Sequence, residues 1–199
     1  MFIVLCLFLL GCKSDHRPSS GEALIGYPLG AIVKPFQEIP QLEKVTLEDN
    51  GSVIAEGQYL DGRPHGLWVD YDAKTGQPVI ITSYWKGEKL GPHMTFDKKN
   101  GKIIKKAYYY KNDLQGNYIT YENGKKSEVS NYDRGKLDGY SRKYYKNGKL
   151  LEELPYDRGV LNGTAKWYNQ EGVMTIQYEY ENGKFVKDTT PKSDSLSTQ

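Results

Sequence analysis

Hydrophobic and polar positions in this chain change places in short runs cut by turn residues. Runs such as "PVIITSYW" (78–85) and "TIQYEY" (175–180) are rich in β-branched and aromatic residues, which suit a pleated, half-buried surface. Asn-Gly pairs stand between such runs at 50–51, 100–101, 123–124, 147–148 and 182–183. In that setting Asn-Gly predicts a hairpin whose two central residues both have positive φ. A second set of turns is expected at Gly62, Gly87, Gly135 and Gly159. Asn112 holds the equivalent place once, and Asn is the next best residue at positive φ.

The turns recur in step. The frame Tyr-x-x-Gly-x-x-x-Gly begins at Tyr59, Tyr84, Tyr109, Tyr132 and Tyr156, with a truncated copy at Tyr180, so the steps are 25, 25, 23, 24 and 24 residues. An aromatic follows the second Gly by five residues each time: Tyr71, Phe96, Tyr121, Tyr144 and Tyr168. Length varies only between that aromatic and the next Gly, so that stretch should be a loop. Each unit therefore holds two short strands and two turns. One hairpin is marginal in water, so the units must stack. The expected fold is all-β: an extended single-layer antiparallel β-meander of about six ~24-residue hairpin repeats, about ten strands in all. Tyr at equivalent positions should form stripes whose rings stack or meet edge to face, at about 0.5–1.5 kcal/mol per pair. A neighbouring Gly should leave room for each ring.

The Tyr-x-x-Gly-x-x-x-Gly-x-x-x-x-(Tyr/Phe) frame resembles MORN repeats, in the variant form of bacterial secreted and lipid-anchored proteins. The resemblance covers residues 45–187. It implies an extended binding or scaffolding platform, and some relatives carry an antitoxin label.

Composition agrees with a thin, turn-rich sheet: 17 Tyr against 5 Phe, 21 Gly, 38% hydrophobic residues and a mean hydropathy of −0.69. A net charge of +2 gives no reason to expect nucleic acid. The charge is unevenly spread. Residues 98–149 hold fourteen basic and five acidic side chains, while residues 12–72 hold five basic and ten acidic. A basic middle favours anionic partners such as phospholipid or acidic glycan; otherwise the lysines are solvated strand and turn residues.

The chain opens "MFIVLCLFLLGC". An apolar run of this length followed by small residues reads as a secretory signal, residues 1–11, too short to span a bilayer as a helix. Its ending resembles the lipobox of bacterial lipoproteins, which implies cleavage before Cys12 and a diacylglycerol thioether on it. No Lys or Arg precedes the apolar run, a departure from that pattern. The other reading is a buried N-terminal strand with an incidental Cys. Cys6 would leave with the signal, so the mature chain would have neither a free thiol nor a disulfide. Lys13, where inner-membrane retention has Asp, points to the outer membrane of a diderm envelope. "CKSD" resembles the start of surface-exported lipoproteins of the Bacteroidota. Residues 12–44, with Pro18, Pro28, Pro35 and Pro40, read as a tether partly docked through "YPLGAIV". Residues 188–199 read as a disordered tail.

Candidate chemistry is sparse. His16, His65 and His93 have no metal-ligand spacing, so neither a metal nor a cofactor is expected. Glu152 and Glu153 are adjacent on a strand and should point to opposite faces. Asp133 and Asp157 share a turn and read as local hydrogen-bonding residues. No nucleophile-elbow, P-loop or dinucleotide motif is present, and no enzyme activity is expected. The residues left for function are aromatic. Trp68, Tyr71, Phe96, Tyr121, Tyr144, Trp167 and Tyr168 are the candidate binding face, and Tyr supplies large contacts at low entropic cost. The expectation is a non-catalytic, lipid-anchored envelope protein that binds another envelope protein. The alternatives are an envelope polysaccharide held by Trp68 and Trp167, or a toxin neutralised by this chain.

Overall fold

The computed structural model describes residues 26–192. The signal segment 1–11, Cys12, the tether as far as residue 25, and residues 193–199 lie outside the described residues. Among the described residues there is no helix. All the strands join one antiparallel sheet that runs in sequence order.

The five full units supply ten long strands. They are β3 (Ser52–Leu60) with β4 (Arg63–Tyr71), and β5 (Pro78–Trp85) with β6 (Glu88–Phe96). Then come β7 (Ile103–Tyr110) with β9 (Gly116–Glu122), and β10 (Lys125–Asp133) with β11 (Lys136–Tyr144). The fifth unit is β12 (Leu150–Asp157) with β14 (Gly163–Tyr168). The two-residue strands β8 (Asp113–Leu114) and β13 (Val160–Leu161) pair with β7 and β12.

Four more strands lie beyond the expected ten. The truncated copy forms β15 (Met174–Glu181) and β16 (Lys184–Asp188), and β1 (Ile32–Pro35) and β2 (Leu42–Asp49) precede the first unit. The sheet thus begins inside the stretch expected to be a tether. Ile32 and Val33 pair with Thr46 and Val45, and Tyr27 stacks on Tyr59 with ring centroids 5.3 Å apart. It also ends later than expected. Thr189 N–H donates to the Gln177 carbonyl at 2.8 Å, and Gln177 N–H donates to the Thr190 hydroxyl at 2.9 Å. The β-branched threonines extend the edge where the sequence suggested disorder.

The turns divide into two kinds, one at each edge. Along one edge, residues 61–62, 86–87, 111–112, 134–135 and 158–159 form two-residue turns with both φ values positive. Successive turns there are hydrogen-bonded to one another. The N–H of Gly87, Asn112, Gly135, Gly159 and Gly183 donates to the carbonyl of Pro64, Lys89, Leu114, Leu137 and Leu161, at 2.6–3.0 Å. The positive φ aims each N–H at the preceding unit, which is why this turn recurs without change. Asn112, at φ 72°, adds a side-chain acceptor for Lys89 N–H at 2.8 Å. Along the other edge only 50–51 and 123–124 are Asn-Gly turns of the expected kind, and the third such turn, 182–183, closes the line along the first edge. At 100–101 and 147–148 only the Gly has positive φ. Those Asn residues sit in longer loops, where Asn100 and Asn147 accept the N–H of Lys102 and Lys149.

A β-bulge recurs with the frame. Register shifts leave one extra residue at Ile54, Val79, Ile104, Ser127, Leu151 and Thr175, each five residues before a frame Tyr. A bulge bends its strand and increases local twist, so repetition in register coils the sheet steadily.

One face carries the core. Alternation and register place Val45, Ala55, Tyr59, Thr82, Tyr84, Ala107, Ser130, Ser141 and Ala165 on the same side, and all are buried. We call this the inner face. The frame tyrosines form a stripe along it. They meet rings on an adjacent strand rather than one another, because equivalent tyrosines are two strands, about 9–10 Å, apart. Tyr59 meets Trp68 edge-on at 5.8 Å, Tyr109 meets His93 at 5.7 Å, and Tyr132 meets Tyr118 at 6.0 Å. Each second Gly lies opposite the next frame Tyr: Gly66 with Tyr84, Gly91 with Tyr109, Gly116 with Tyr132, Gly139 with Tyr156 and Gly163 with Tyr180. Space for the ring is not the main reason for Gly here. All five have φ between 72° and 107°, and a Cβ on Gly91 would meet Ser83 at 3.1 Å, on the preceding strand. A ring does lie on a glycine at Gly57, which faces Trp68.

Candidate binding face

The seven candidate aromatics do not share a face. Trp68 and Trp167 lie on the inner face. Their indole N–H groups donate to Asp70 at 3.3 Å and Glu152 at 3.0 Å, and Trp167 meets Tyr178 edge-on at 5.5 Å. Both tryptophans are half-buried with their polar handles satisfied, so they belong to the stripe's packing. Tyr71, Phe96, Tyr121, Tyr144 and Tyr168 lie on the opposite, outer face, at the strand ends nearest the long loops.

The outer face has its own row, read straight across the register. It runs Glu56, Val69, Ile81, Met94, Lys106, Ile119, Val129, Arg142, Glu153, Lys166, Gln177. The half carried by β11 to β15 is polar and charged, and within it Arg142 Nε donates to Glu153 at 2.7 Å. The part on β4 to β6 is apolar. Here Leu67 is 57% exposed and Trp85 53% exposed, and Tyr108 and Tyr110 on β7 are 47% and 52% exposed. Pro92 faces Tyr108 across the strands. These residues form one apolar and aromatic surface over four adjacent strands. A groove of about 520 Å³ extends it toward β2, lined by Phe36, Lys44, Glu56, Leu67 and Val69 among others. In that groove Lys44 bonds Glu56 at 2.7 Å and Tyr71 donates to Glu56 at 2.9 Å. Both interactions hold the Glu56 carboxyl below its ordinary range, the lysine most strongly.

Leu67, Trp85, Tyr108 and Tyr110 are not among the residues expected to form the binding face. A signal existed: a residue adjacent to a frame Tyr must point to the other face, and "YW" at 84–85 and "YYY" at 108–110 place rings there. His65 lies against Trp85 with ring centroids 4.7 Å apart, and its Nδ1 is buried without a hydrogen-bond partner.

The candidate chemistry disperses. His65 is on the outer face, while His93 is on the inner face, bonded to Thr82 at 2.9 Å. Glu152 and Glu153 point to opposite faces, toward Lys143 and Arg142 respectively. Asp133 accepts from Gln115 at 3.0 Å beside its turn. Among the described residues no group of three or more His, Cys, Asp or Glu side chains is placed to hold a metal ion.

With period, frame and register in view, the repeat can be compared with known families. Residues 137–158 and 161–184 match the MORN repeat variant. The first matched segment holds most of β11 and all of β12, and the second holds β14 and β15. No curated protein matches the chain. Solved structures similar to parts of it include TarM, at 18% identity over 55% of this chain and 21% of that one, with a TM-score of 0.36. Another is a mutant of S. aureus TarM in complex with fondaparinux, alpha-GlcNAc-glycerol and UDP, at 17% identity over 49% of this chain and 20% of that one, with a TM-score of 0.35. The matched region spans about a fifth of the length of those chains. Neither likeness bears on function.

Proposed function

We propose that this protein is a non-catalytic, lipid-anchored platform of the bacterial envelope that binds another envelope protein on the outer face of β4 to β7. One observation carries the reading. The inner face buries Tyr59, Tyr84 and the small residues of the core and half-buries the other frame tyrosines, while the outer face leaves Leu67, Trp85, Tyr108 and Tyr110 exposed together. Apolar surface concentrated on one side of a soluble sheet is characteristic of an interaction site, and exposed Trp and Tyr are the residues that most often dominate binding energy. The anchor rests on the lipobox-like segment ending at Cys12.

A photo-cross-linking residue at position 85 or 108, in intact cells, tests this. One recurrent envelope protein should be captured from both positions, and Cys12→Ala should abolish the capture. Trp85→Ala and Leu67→Ser should weaken binding of that protein at least tenfold without lowering stability. The reading is wrong if no protein recurs from either position.

A further inference from the structure

The basic excess of residues 98–149 has a place in the fold. Seven lysines, 98, 99, 102, 125, 126, 146 and 149, fall in or directly beside three connections, 97–102, 123–124 and 145–149. All three lie at the same edge of the sheet, and neighbours are two strands, about 9–10 Å, apart. Only two carboxylates, Asp97 and Glu122, lie in or directly beside these connections. Asp97 is occupied in shaping its own loop, accepting from Lys99 and Asn100 N–H at 2.8 and 3.1 Å.

Between the second and third connections lies a cavity of about 200 Å³, lined by Lys125, Lys126, Lys146, Tyr144 and Tyr145 among others. Its groups divide into those that build the site and those left for a ligand. Lys125 Nζ donates to the Lys146 carbonyl at 3.0 Å, and the Tyr145 hydroxyl donates to the Tyr168 carbonyl at 2.7 Å. These bonds tie unit to unit and hold the cavity open. Lys126 pairs with Tyr121 in the β9–β10 ladder, and its ammonium makes no hydrogen bond or ion pair among the described residues. Lys146 has only Glu122, at 4.0 Å, and its side chain is 85% exposed. The site thus combines the Lys126 ammonium, the Lys146 ammonium with Glu122 as its one distant partner in the same cavity, two tyrosine rings and repeated cations along the same edge.

We propose that this edge binds a sugar chain bearing phosphate or sulfate groups, with one oxyanion seated between Lys126 and Lys146 and a sugar ring against Tyr144. The site is independent of the protein-binding reading, which rests on β4 to β7. A soluble anionic chain fits better than a membrane surface. The tips of the three connections, "DKKNGK", "ENGK" and "YKNGK", contain no aliphatic side chain that could enter lipid. The spacing of about 10 Å between cationic connections suits a chain that carries charge at intervals.

Three probes separate the possibilities: dextran sulfate, uncharged dextran, and vesicles containing phosphatidylglycerol. Titration calorimetry at low salt should show binding to dextran sulfate and none to dextran, with affinity falling as salt screens the contacts. Lys126→Glu/Lys146→Glu should weaken dextran sulfate binding at least tenfold. Lys86→Glu/Arg158→Glu, on the opposite edge, should leave it within twofold. Equal losses in both variants would reduce the effect to net charge and overturn the assignment, as would no loss in the first. Binding to the vesicles but not to dextran sulfate would replace the sugar chain by a lipid headgroup. Matching thermal melts for the two variants exclude unfolding as the cause of any loss.

Discussion

Gly57→Ala tests whether the inner face is packed as described. Gly57 is not among the residues with positive φ, so the substitution probes packing rather than backbone strain. A Cβ there would lie 2.4 Å from Trp68 Cε3, 2.9 Å from the Leu67 carbonyl oxygen and 3.1 Å from Trp68 Cα. Two of those three atoms are backbone of the paired strand and cannot move without parting β3 from β4. Overpacking of this kind costs about 1–3 kcal/mol, and more where backbone must shift. Replacing Gly by Ala returns about 0.4–1 kcal/mol through the unfolded chain. The net expectation is a loss of about 2 kcal/mol. Urea unfolding followed by tryptophan fluorescence measures it, and hydrogen exchange should place the loss in β2 to β5, because repeat arrays couple chiefly to neighbours. Trp68→Ala in the same chain removes the ring contact but leaves the Leu67 carbonyl in place, so a double-mutant cycle should recover only part of the loss. Gly57→Ala at or above wild-type stability would refute the close approach of Trp68.

Two further predictions concern groups buried on the inner face. Burial raises the Tyr59 phenol to about 12 from an ordinary 10. That contribution is fully present below pH 10 and is lost as pH rises from 10 to 12, because the unfolded phenol ionises first. The loss amounts to roughly 2–3 kcal/mol at about 1.4 kcal/mol per unit. Urea midpoints at pH 8 and pH 11 should show it, and Tyr59→Phe should flatten that part of the alkaline decline; an unchanged decline would contradict the burial. Ser130 and Ser141, both buried, share a hydrogen bond of 2.8 Å, and Ser130 also bonds Glu128 at 2.9 Å. Ser130→Ala should cost about 1–3 kcal/mol by orphaning the Ser141 hydroxyl. The double variant Ser130→Ala/Ser141→Ala should cost less than the two single losses added, measured by thermal melts.

The sequence by itself determined the period, the hairpin unit and the line of turns. Each of these is a local demand. Two successive residues at positive φ at 86–87 or 134–135 restrict the choice of residue whatever the rest of the chain does. Strand parity was also legible: Trp167 and Tyr168 are neighbours on one strand and had to face apart. What only the tertiary structure decided is which face is the inside. That depends on the bulges at Ile54, Val79, Ile104, Ser127, Leu151 and Thr175, where one extra residue resets the alternation within each unit. No residue type marks them, since Ile, Val, Ser, Leu and Thr all serve. The choice of face also depends on the frame tyrosines finding their rings on a neighbouring strand, as Tyr109 finds His93 sixteen residues back in the chain. The same long-range register gathers lysines from three separate connections at one edge and exposes Trp85 and Tyr108 on the outer surface. Burial is a property of the assembled sheet, so no single unit could reveal it.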